Sequence, residues 1–91
     1  MLKIEYTTQF KRDLKLSKRR NKDLNVLKKI MKKIENKEKL ESKLKDHALS
    51  GNWQGHRELH IEPDWLLIYK IFSEERLLIF VRLGSHADLF K

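Results

Sequence analysis

Four histidines are the side chains of this 91-residue chain best suited to catalysis, and all of them lie in its carboxyl-terminal half: His47, His56, His60 and His86. An imidazole has an unperturbed pKa of about 6.5, so it can give and take protons near neutrality. Asp64, Arg57 and Arg82 occur in the same half. One histidine alone is most often a surface or capping residue, but this group, in a chain that also carries a strongly basic segment, indicates acid–base chemistry.

The segment "HRELH" (56–60) raises the alternative of a metal site. The zinc-binding motif HExxH requires a helix and a glutamate directly after the first histidine, whereas here the glutamate comes third and Pro63 follows in a strand context. On a strand, His56, Glu58 and His60 alternate onto one face, with neighbouring Cα atoms roughly 7 Å apart. The outer pair is then too distant for one ion without strong twisting. We therefore expect no metal site and no cofactor.

The reaction that suits these residue types is RNA cleavage by the RNA's own 2′-hydroxyl. A base removes the hydroxyl proton, a cation stabilises charge on the phosphoryl oxygens, and an acid protonates the departing 5′-oxygen. Histidine supplies the base and the acid, arginine supplies the cation, and tryptophan or phenylalanine offers a surface on which bases stack. This chemistry requires neither a metal ion nor a covalent enzyme intermediate.

The net charge of +8 is concentrated in one segment of the chain. Between Lys18 and Lys39 there are ten basic and three acidic residues, a local net charge of +7. Such a field attracts polyanions largely without sequence preference, although a solvated face that only keeps the protein soluble is the alternative. The residues expected to contact RNA or the ribosome are Lys18, Arg19, Arg20, Lys22, Lys28, Lys29, Lys32 and Lys33.

The amino-terminal half predicts a strand and two helices. "LKIEY" (2–6) alternates apolar and polar residues as a strand does. Thr7 or Thr8 can cap a first helix, which the run "KRRN" ends. Asn21 is the expected cap of a second helix, with Asp23 in its first turn and the lysines on the face opposite an apolar stripe.

The carboxyl-terminal half predicts three strands. The period is lost from 38 to 52, a loop long enough to suggest function. "WQGHRELHI" (53–61) alternates as a strand and stops at Pro63. The apolar runs "WLLIYKIF" (65–72) and "LLIFVRL" (77–83) read as buried strands, and "GSHADLF" closes the chain in a turn or a single helical turn.

The order β-α-α-β-β-β predicts an α+β fold in which two amino-terminal helices pack on a mostly antiparallel four-stranded sheet, as one domain over residues 1–91. The chain has no cysteine, its longest apolar run is the five residues "WLLIY", and its first ten residues lack the apolar region of a signal peptide. We therefore expect a cytoplasmic protein without a membrane partner.

Residues 46 to 90 resemble a known family. "DHALSGNWQGHRELHIEPDWLLIYKI" followed by "VRLGSHADLF" is similar to the signature of YafQ-type mRNA interferases, which are toxins of bacterial type II toxin–antitoxin systems in the RelE superfamily. Length, element order and basic helices agree with that family. Leu83 departs from the threonine that some members carry between the arginine and the glycine.

The resemblance implies a RelE-like fold and a ribosome-dependent endoribonuclease that cuts mRNA in the A site of the 70S ribosome. It also implies a cognate antitoxin, expected to be small and acidic, through which alone operator DNA would be bound. The implied catalytic residues are His47, His60, Asp64 and His86. The implied substrate contacts are Trp65, Arg82 and Phe90, with Arg57 as a further candidate. His56 has no counterpart in the family signature and is expected to be a bystander.

Several of these residues have structural alternatives. Trp65 and Phe90 could be core aromatics, Asp64 could only shape the turn at Pro63, and Arg57 could pair with Glu58 or Glu62. Two other functions also remain open. A non-catalytic nucleic-acid-binding module would use only the basic helices, and a gyrase-inhibiting toxin on the same fold would leave RNA intact. Neither needs the four implied catalytic residues together.

Overall fold

The first strand of the chain pairs with the last one. In the computed structural model, which describes residues 1–90, β1 (Lys3–Tyr6) runs parallel to β5 (Leu77–Gly84). The other elements, in chain order, are the helices α1 (Thr8–Arg19) and α2 (Leu24–Glu35), the strands β2 (His47–Ala48), β3 (Arg57–Glu62) and β4 (Trp65–Phe72), and the short helix α3 (His86–Leu89). Two 3-10 turns, Ser42–Leu44 and Gly51–Trp53, flank β2.

The sheet has five strands in the order β1-β5-β4-β3-β2, and every pair except β1–β5 is antiparallel. The prediction of four strands is corrected by β2, a two-residue edge strand that pairs His47 with Glu58 and Ala48 with Arg57. Two residues are too few for a hydrophobic period to reveal a strand. The α+β class, the helix pair and the mostly antiparallel sheet are confirmed.

Side-chain caps fix where the two long helices begin. The hydroxyl of Thr7 accepts the Phe10 N–H at 2.9 Å, as expected for α1. Asp23, not Asn21, caps α2, because its carboxylate accepts the N–H groups of Asn25 and Val26 at 3.0 and 3.3 Å. Asn21 instead takes the left-handed conformation, with φ of 60°, in the turn between the helices. Asparagine tolerates this conformation better than most residues.

The central strand β4 is apolar because both of its faces are covered. Leu67 and Tyr69 pack with α1 and α2 in the main core, while Leu66 and Ile68 pack with Leu89 of α3 in a smaller cluster on the opposite face. The stacked rings of Tyr6, Phe10 and Phe80 tie β1, α1 and β5 together at centroid distances of 5.7 to 5.8 Å. Within residues 1–90, no helix is long and apolar enough to cross a membrane.

Candidate active site

A row of aromatic rings crosses the sheet face opposite α1 and α2. His60 pairs across the strands with Leu66, and opposed residues of an antiparallel pair share a face, so His60 lies on the side of the smaller cluster. Successive ring centroids lie 6.2, 5.8, 6.4, 6.1 and 5.3 Å apart. The rings of this aromatic row are, in order, His47, His60, His86, Phe90, Trp53 and His56.

Three different elements bring the first three rings together. His47 lies on the edge strand β2, His60 on β3, and His86 is the first residue of α3. These positions are far apart in the sequence and meet only because β2 and α3 flank the sheet. His56, which the sequence predicts to be a bystander, lies at the far end of the row beside Trp53.

Every histidine ring is held through its Nδ1 atom. His47 contacts the Lys45 carbonyl at 2.6 Å, His56 the Trp53 carbonyl at 3.1 Å, and His60 the Pro63 carbonyl in a longer contact of 3.4 Å. The Nδ1 atom of His86 contacts the Asp64 carboxylate at 2.7 Å. Because carbonyl and carboxylate oxygens only accept hydrogen bonds, Nδ1 donates in each case. The Nε2 atom of each ring is therefore the one left to exchange a proton with a substrate.

Asp64 and His86 form a dyad between the β3–β4 turn and α3. One carboxylate oxygen of Asp64 accepts both the backbone N–H of His86 at 2.8 Å and its ring Nδ1–H at 2.7 Å. These two hydrogen bonds lower the pKa of Asp64, the backbone one most. The carboxylate thus stays ionised and orients the imidazole. Its negative charge stabilises the positive charge of an imidazolium. Asp64 does more than shape the turn at Pro63.

Glu58 was considered from the sequence only as a metal ligand or as a partner of Arg57, and not as part of the acid–base site. It is only 5% exposed, and its Oε1 lies 3.5 Å from His47 Nε2 and 3.7 Å from His60 Nε2. Its Oε2 is buried without a hydrogen-bond partner among residues 1–90. A buried carboxylate is costly unless it has partners, so this one, under two imidazoles, marks a functional position. The signal in the sequence that could have indicated this position is the two-residue spacing of Glu58 and His60, which places both side chains on one face of β3.

The candidate metal ligands of the sequence do not converge. Glu58 and His60 share the site, but His56 is separated from His60 by three other rings of the aromatic row. Across the described part of the chain, no three histidine, aspartate or glutamate side chains are arranged to hold a metal ion.

Arg82 lies beside an irregularity in the sheet. The β4–β5 register shifts between Ile68 and Tyr69, which adds a residue to β5 beside Arg82. Such a bulge redirects a side chain, and the Nε and Nη2 atoms of Arg82 donate to Asp13 of α1 at 2.8 and 3.3 Å. The side chain of Arg82 keeps 23% of its surface exposed. The guanidinium is therefore held by a carboxylate of α1.

Two of the predicted substrate contacts, Trp65 and Arg57, lie away from the open face of the aromatic row. Trp65 is 1% exposed and its indole N–H donates to Ser17 of α1 at 3.2 Å, so its ring has no open face for a base and the core alternative holds. Arg57 pairs across the strands with Tyr69 on the helix-facing side, away from the aromatic row. Its guanidinium donates to Asp46 at 2.8 and 3.1 Å rather than to Glu58 or Glu62. Burial on one face or the other depends on packing that single residues do not reveal.

Phe90, by contrast, is 40% exposed at the row's centre. Its ring lies between those of His86 and Trp53, with centroids 6.4 and 6.1 Å away. An exposed ring next to the dyad is available for stacking against a nucleobase.

The basic segment divides into paired and unpaired charges. Arg20 donates to Asp88 of α3 at 2.7 Å, and Lys22 donates to Glu62 at 2.9 Å. Lys32 and Lys33 lie 3.7 and 3.9 Å from acidic side chains. The members that form no ion pair within residues 1–90 all have exposed side chains; they are Lys18, Arg19, Lys28, Lys29, Lys37 and Lys39.

The chain is similar to one group of proteins over nearly its whole length. A family model described as a bacterial toxin of type II toxin-antitoxin system, YafQ, matches residues 2–91. The mRNA interferase toxin YafQ of Escherichia coli strain K12 is 49% identical over 88 residues, which cover 96% of this chain and 94% of the relative. The crystal structure of YafQ from E. coli strain BL21(DE3) covers 100% of both chains at a TM-score of 0.92 and 44% identity. The crystal structure of the E. coli DinJ-YafQ complex gives a TM-score of 0.89 at 47% identity, again over 100% of both chains.

Proposed function

This chain belongs to the YafQ family of toxins from bacterial type II toxin–antitoxin systems, and from that premise we propose that it is an mRNA interferase. It cleaves mRNA in the A site of the 70S ribosome by metal-independent acid–base catalysis. The observation that supports this most strongly is the meeting of His47, His60 and His86 on one sheet face, each held through its Nδ1 atom.

The acid of the proposed reaction is His86. Asp64 holds its Nδ1 proton, so a proton on Nε2 can pass to the departing 5′-oxygen. The base comes from the group formed by His47, Glu58 and His60, which takes the proton of the 2′-hydroxyl. The 2′-oxygen then attacks the adjacent phosphorus, and the products are a cyclic phosphate and a free 5′-hydroxyl. Base and acid thus stand on two sides of the scissile bond.

Charge stabilisation and base stacking fall to the neighbours of these groups. Arg82 keeps part of its side chain exposed, and we assign to it the stabilisation of the negative charge that builds on the phosphoryl oxygens. Phe90 stacks on a base and places the phosphate between base and acid. Fixed groups of this kind act mainly by orientation, which the hydrogen bonds to Asp13 support.

The partners follow from charge and family. The local charge of +7 suits ribosomal RNA and mRNA. E. coli YafQ is found in a complex with DinJ, so we propose that this chain is likewise neutralised by a cognate antitoxin. An acidic antitoxin would complement the net charge of +8, and operator DNA would be bound only through it. The proposed site of action is the bacterial cytoplasm.

Replacing His86 with alanine tests the reaction, and His56 offers a matched control. His86→Ala should lower single-turnover cleavage on ribosomes programmed with mRNA by about 10² to 10⁴ in rate, the range for a positioned proton donor. His56→Ala, at the other end of the aromatic row, should cost little. Thermal unfolding of both variants separates a catalytic from a structural effect. A wild-type rate for His86→Ala would refute its role as the acid.

The same assay separates the other two functions. A non-catalytic nucleic-acid-binding module would bind ribosomes and leave the mRNA intact in the wild type and in every histidine variant. A gyrase-inhibiting toxin would leave the mRNA intact and inhibit DNA supercoiling instead. Neither outcome is compatible with the proposed reaction.

A further inference from the structure

The turn between α1 and α2, residues 20–22, contacts both segments that carry the Asp64–His86 dyad. Arg20 donates from Nη1 and Nη2 to the Asp88 carboxylate of α3 at 2.7 and 3.4 Å. Lys22 donates to Glu62 at 2.9 Å, two residues before Asp64. The left-handed Asn21 between them reverses the chain, which allows the two side chains to reach different segments.

Asp88 transmits the contact with Arg20 to the start of α3. Its carboxylate also accepts the Ser85 N–H at 2.9 Å, and its own N–H donates to the Ser85 hydroxyl at 3.1 Å, which completes a capping box. The Asp88 side chain fills the space beside Gly84, where an added Cβ would lie only 2.8 Å from a carboxylate oxygen. The carboxylate therefore fixes the backbone on both sides of His86.

A four-residue helix needs such support. So short a helix is unstable by itself, and only Leu89 of α3 is buried. The Arg20 side chain lowers the pKa of Asp88 to about 2, with a further contribution from the Ser85 N–H, so the ionised form is the one that Arg20 holds. The direction of His86 depends on these contacts because His86 is the first residue of the helix.

We propose that Arg20 and Lys22 are positioning residues of the cleavage reaction, which hold the start of α3 and the β3–β4 turn at a fixed separation so that Asp64 can orient His86. This inference rests on the proposed function. It also reassigns two members of the basic segment, since both were expected to contact RNA or the ribosome. Their charged ends are occupied by carboxylates, whereas Arg19 and Lys18 beside them form no ion pair in the described part of the chain.

The two roles differ in the kinetic constant that they change. A residue that contacts RNA contributes to binding, so its loss raises the KM for programmed ribosomes. A residue that orients the acid contributes to the chemical step, so its loss lowers kcat. Small misplacements of a catalytic group cost up to about 100-fold in rate. We expect Arg20→Ala to lower kcat by roughly 10- to 100-fold with little change in KM.

Five further variants complete the kinetic experiment. Arg20→Lys should restore much of kcat because it keeps a charge that can reach Asp88. Asp88→Asn should lower kcat like Arg20→Ala, and the double variant should be no worse than either single one, because all three remove the same contact. Arg12→Ala removes the same charge from an exposed position on α1 and should change neither constant. Lys22→Ala should also lower kcat with little change in KM, because Lys22 holds Glu62 beside the β3–β4 turn.

Nuclear magnetic resonance gives a readout that does not need activity. In ¹H–¹³C spectra of the imidazole groups, Arg20→Ala should shift the His86 signal and leave the His56 signal in place. If the wild type does not cleave mRNA, the proposed function fails while this arm still tests the positioning. The inference is overturned if the His86 signal is unchanged in Arg20→Ala. It is equally overturned if Arg20→Ala raises KM and keeps kcat, as expected for Arg19→Ala.

Discussion

The carboxylate of Asp13 is expected to be among the most costly polar groups of the fold to remove. Asp13 is 5% exposed and accepts hydrogen bonds from Arg82 Nε at 2.8 Å, Arg82 Nη2 at 3.3 Å, the Leu83 N–H at 3.0 Å and Gln9 Nε2 at 3.1 Å. Asp13→Ala leaves a partly buried guanidinium without its counter-charge and a buried N–H without an acceptor. It therefore disrupts the attachment of α1 to β5.

The magnitude follows from those two losses. Removing one partner of a buried ion pair costs about 3–5 kcal/mol, and an unsatisfied buried donor costs about 1–3 kcal/mol. Arg82 keeps 23% of its side chain exposed, so water compensates part of its loss. We expect Asp13→Ala to lower the free energy of unfolding by about 3–4 kcal/mol. Asp13→Asn, which keeps an acceptor for the Leu83 N–H, should lower it by roughly half as much.

Urea unfolding followed by tryptophan fluorescence measures this change, provided that the m-value stays constant between variants. Gln9→Ala is the matched control, because it removes only the peripheral hydrogen bond to Asp13 and should cost less than about 1 kcal/mol. If Asp13→Ala costs no more than Gln9→Ala, or if the alanine and asparagine variants are equally stable, the ion pair does not hold α1 to β5 as described.

Three other predictions concern charge. Hydrogen bonds, first from Arg20, lower the pKa of Asp88 to about 2. The stability that the ionised Asp88 contributes to the fold is therefore present above the usual carboxyl pKa of 3.8 and is lost as the pH falls toward 2. Asp88→Asn should remove this dependence of the unfolding free energy on pH, as measured by urea unfolding at each pH. Burial, together with the hydrogen bond to Asp46, raises the pKa of Tyr69 above its usual 10. The stability that the protonated Tyr69 contributes to the fold is therefore lost as the pH rises beyond 10. Tyr69→Phe should remove that alkaline loss in the same assay and cost about 1–2 kcal/mol at neutral pH. Four lysines of α2 can be replaced with glutamine: Lys28, Lys29, Lys32 and Lys33. This change should weaken ribosome binding and reduce its dependence on salt. If binding is unchanged at several salt concentrations, this face of α2 serves only solubility.

Long apolar stretches of the sequence allowed their strands to be predicted well. The apolar run 65–72 coincides with β4, and the last strand was predicted to within one residue. A strand that is covered on both faces has apolar residues at nearly every position, so its sequence identifies it. The edge strand β2 and the parallel pairing of β1 were not predictable. Both depend on contacts between distant parts of the chain, and neither leaves a local pattern in two to four residues.

The site was predictable where a polar side chain must serve chemistry and not where its role depends on packing. Sequence reasoning named His47, His60, Asp64 and His86, and the structure brings these four together, although their catalytic roles remain predictions. Glu58 was considered only as a metal ligand or a partner of Arg57, because an acidic residue on a strand is normally solvated. The enclosure of Trp65 was not predictable, because only the position of Ser17 on α1 shows that its indole is buried.

The parallel pairing of β1 with β5 governs when this protein can fold during its own synthesis. Residues 3–6 leave the ribosome before their partners, residues 77–80, have been made. Contacts of such long sequence separation form late and slowly, so the nascent chain cannot close its sheet before β5 has been made. The helix that carries His86 follows β5 and is made later still. The proposed active site can therefore form only after every strand of the sheet has been made.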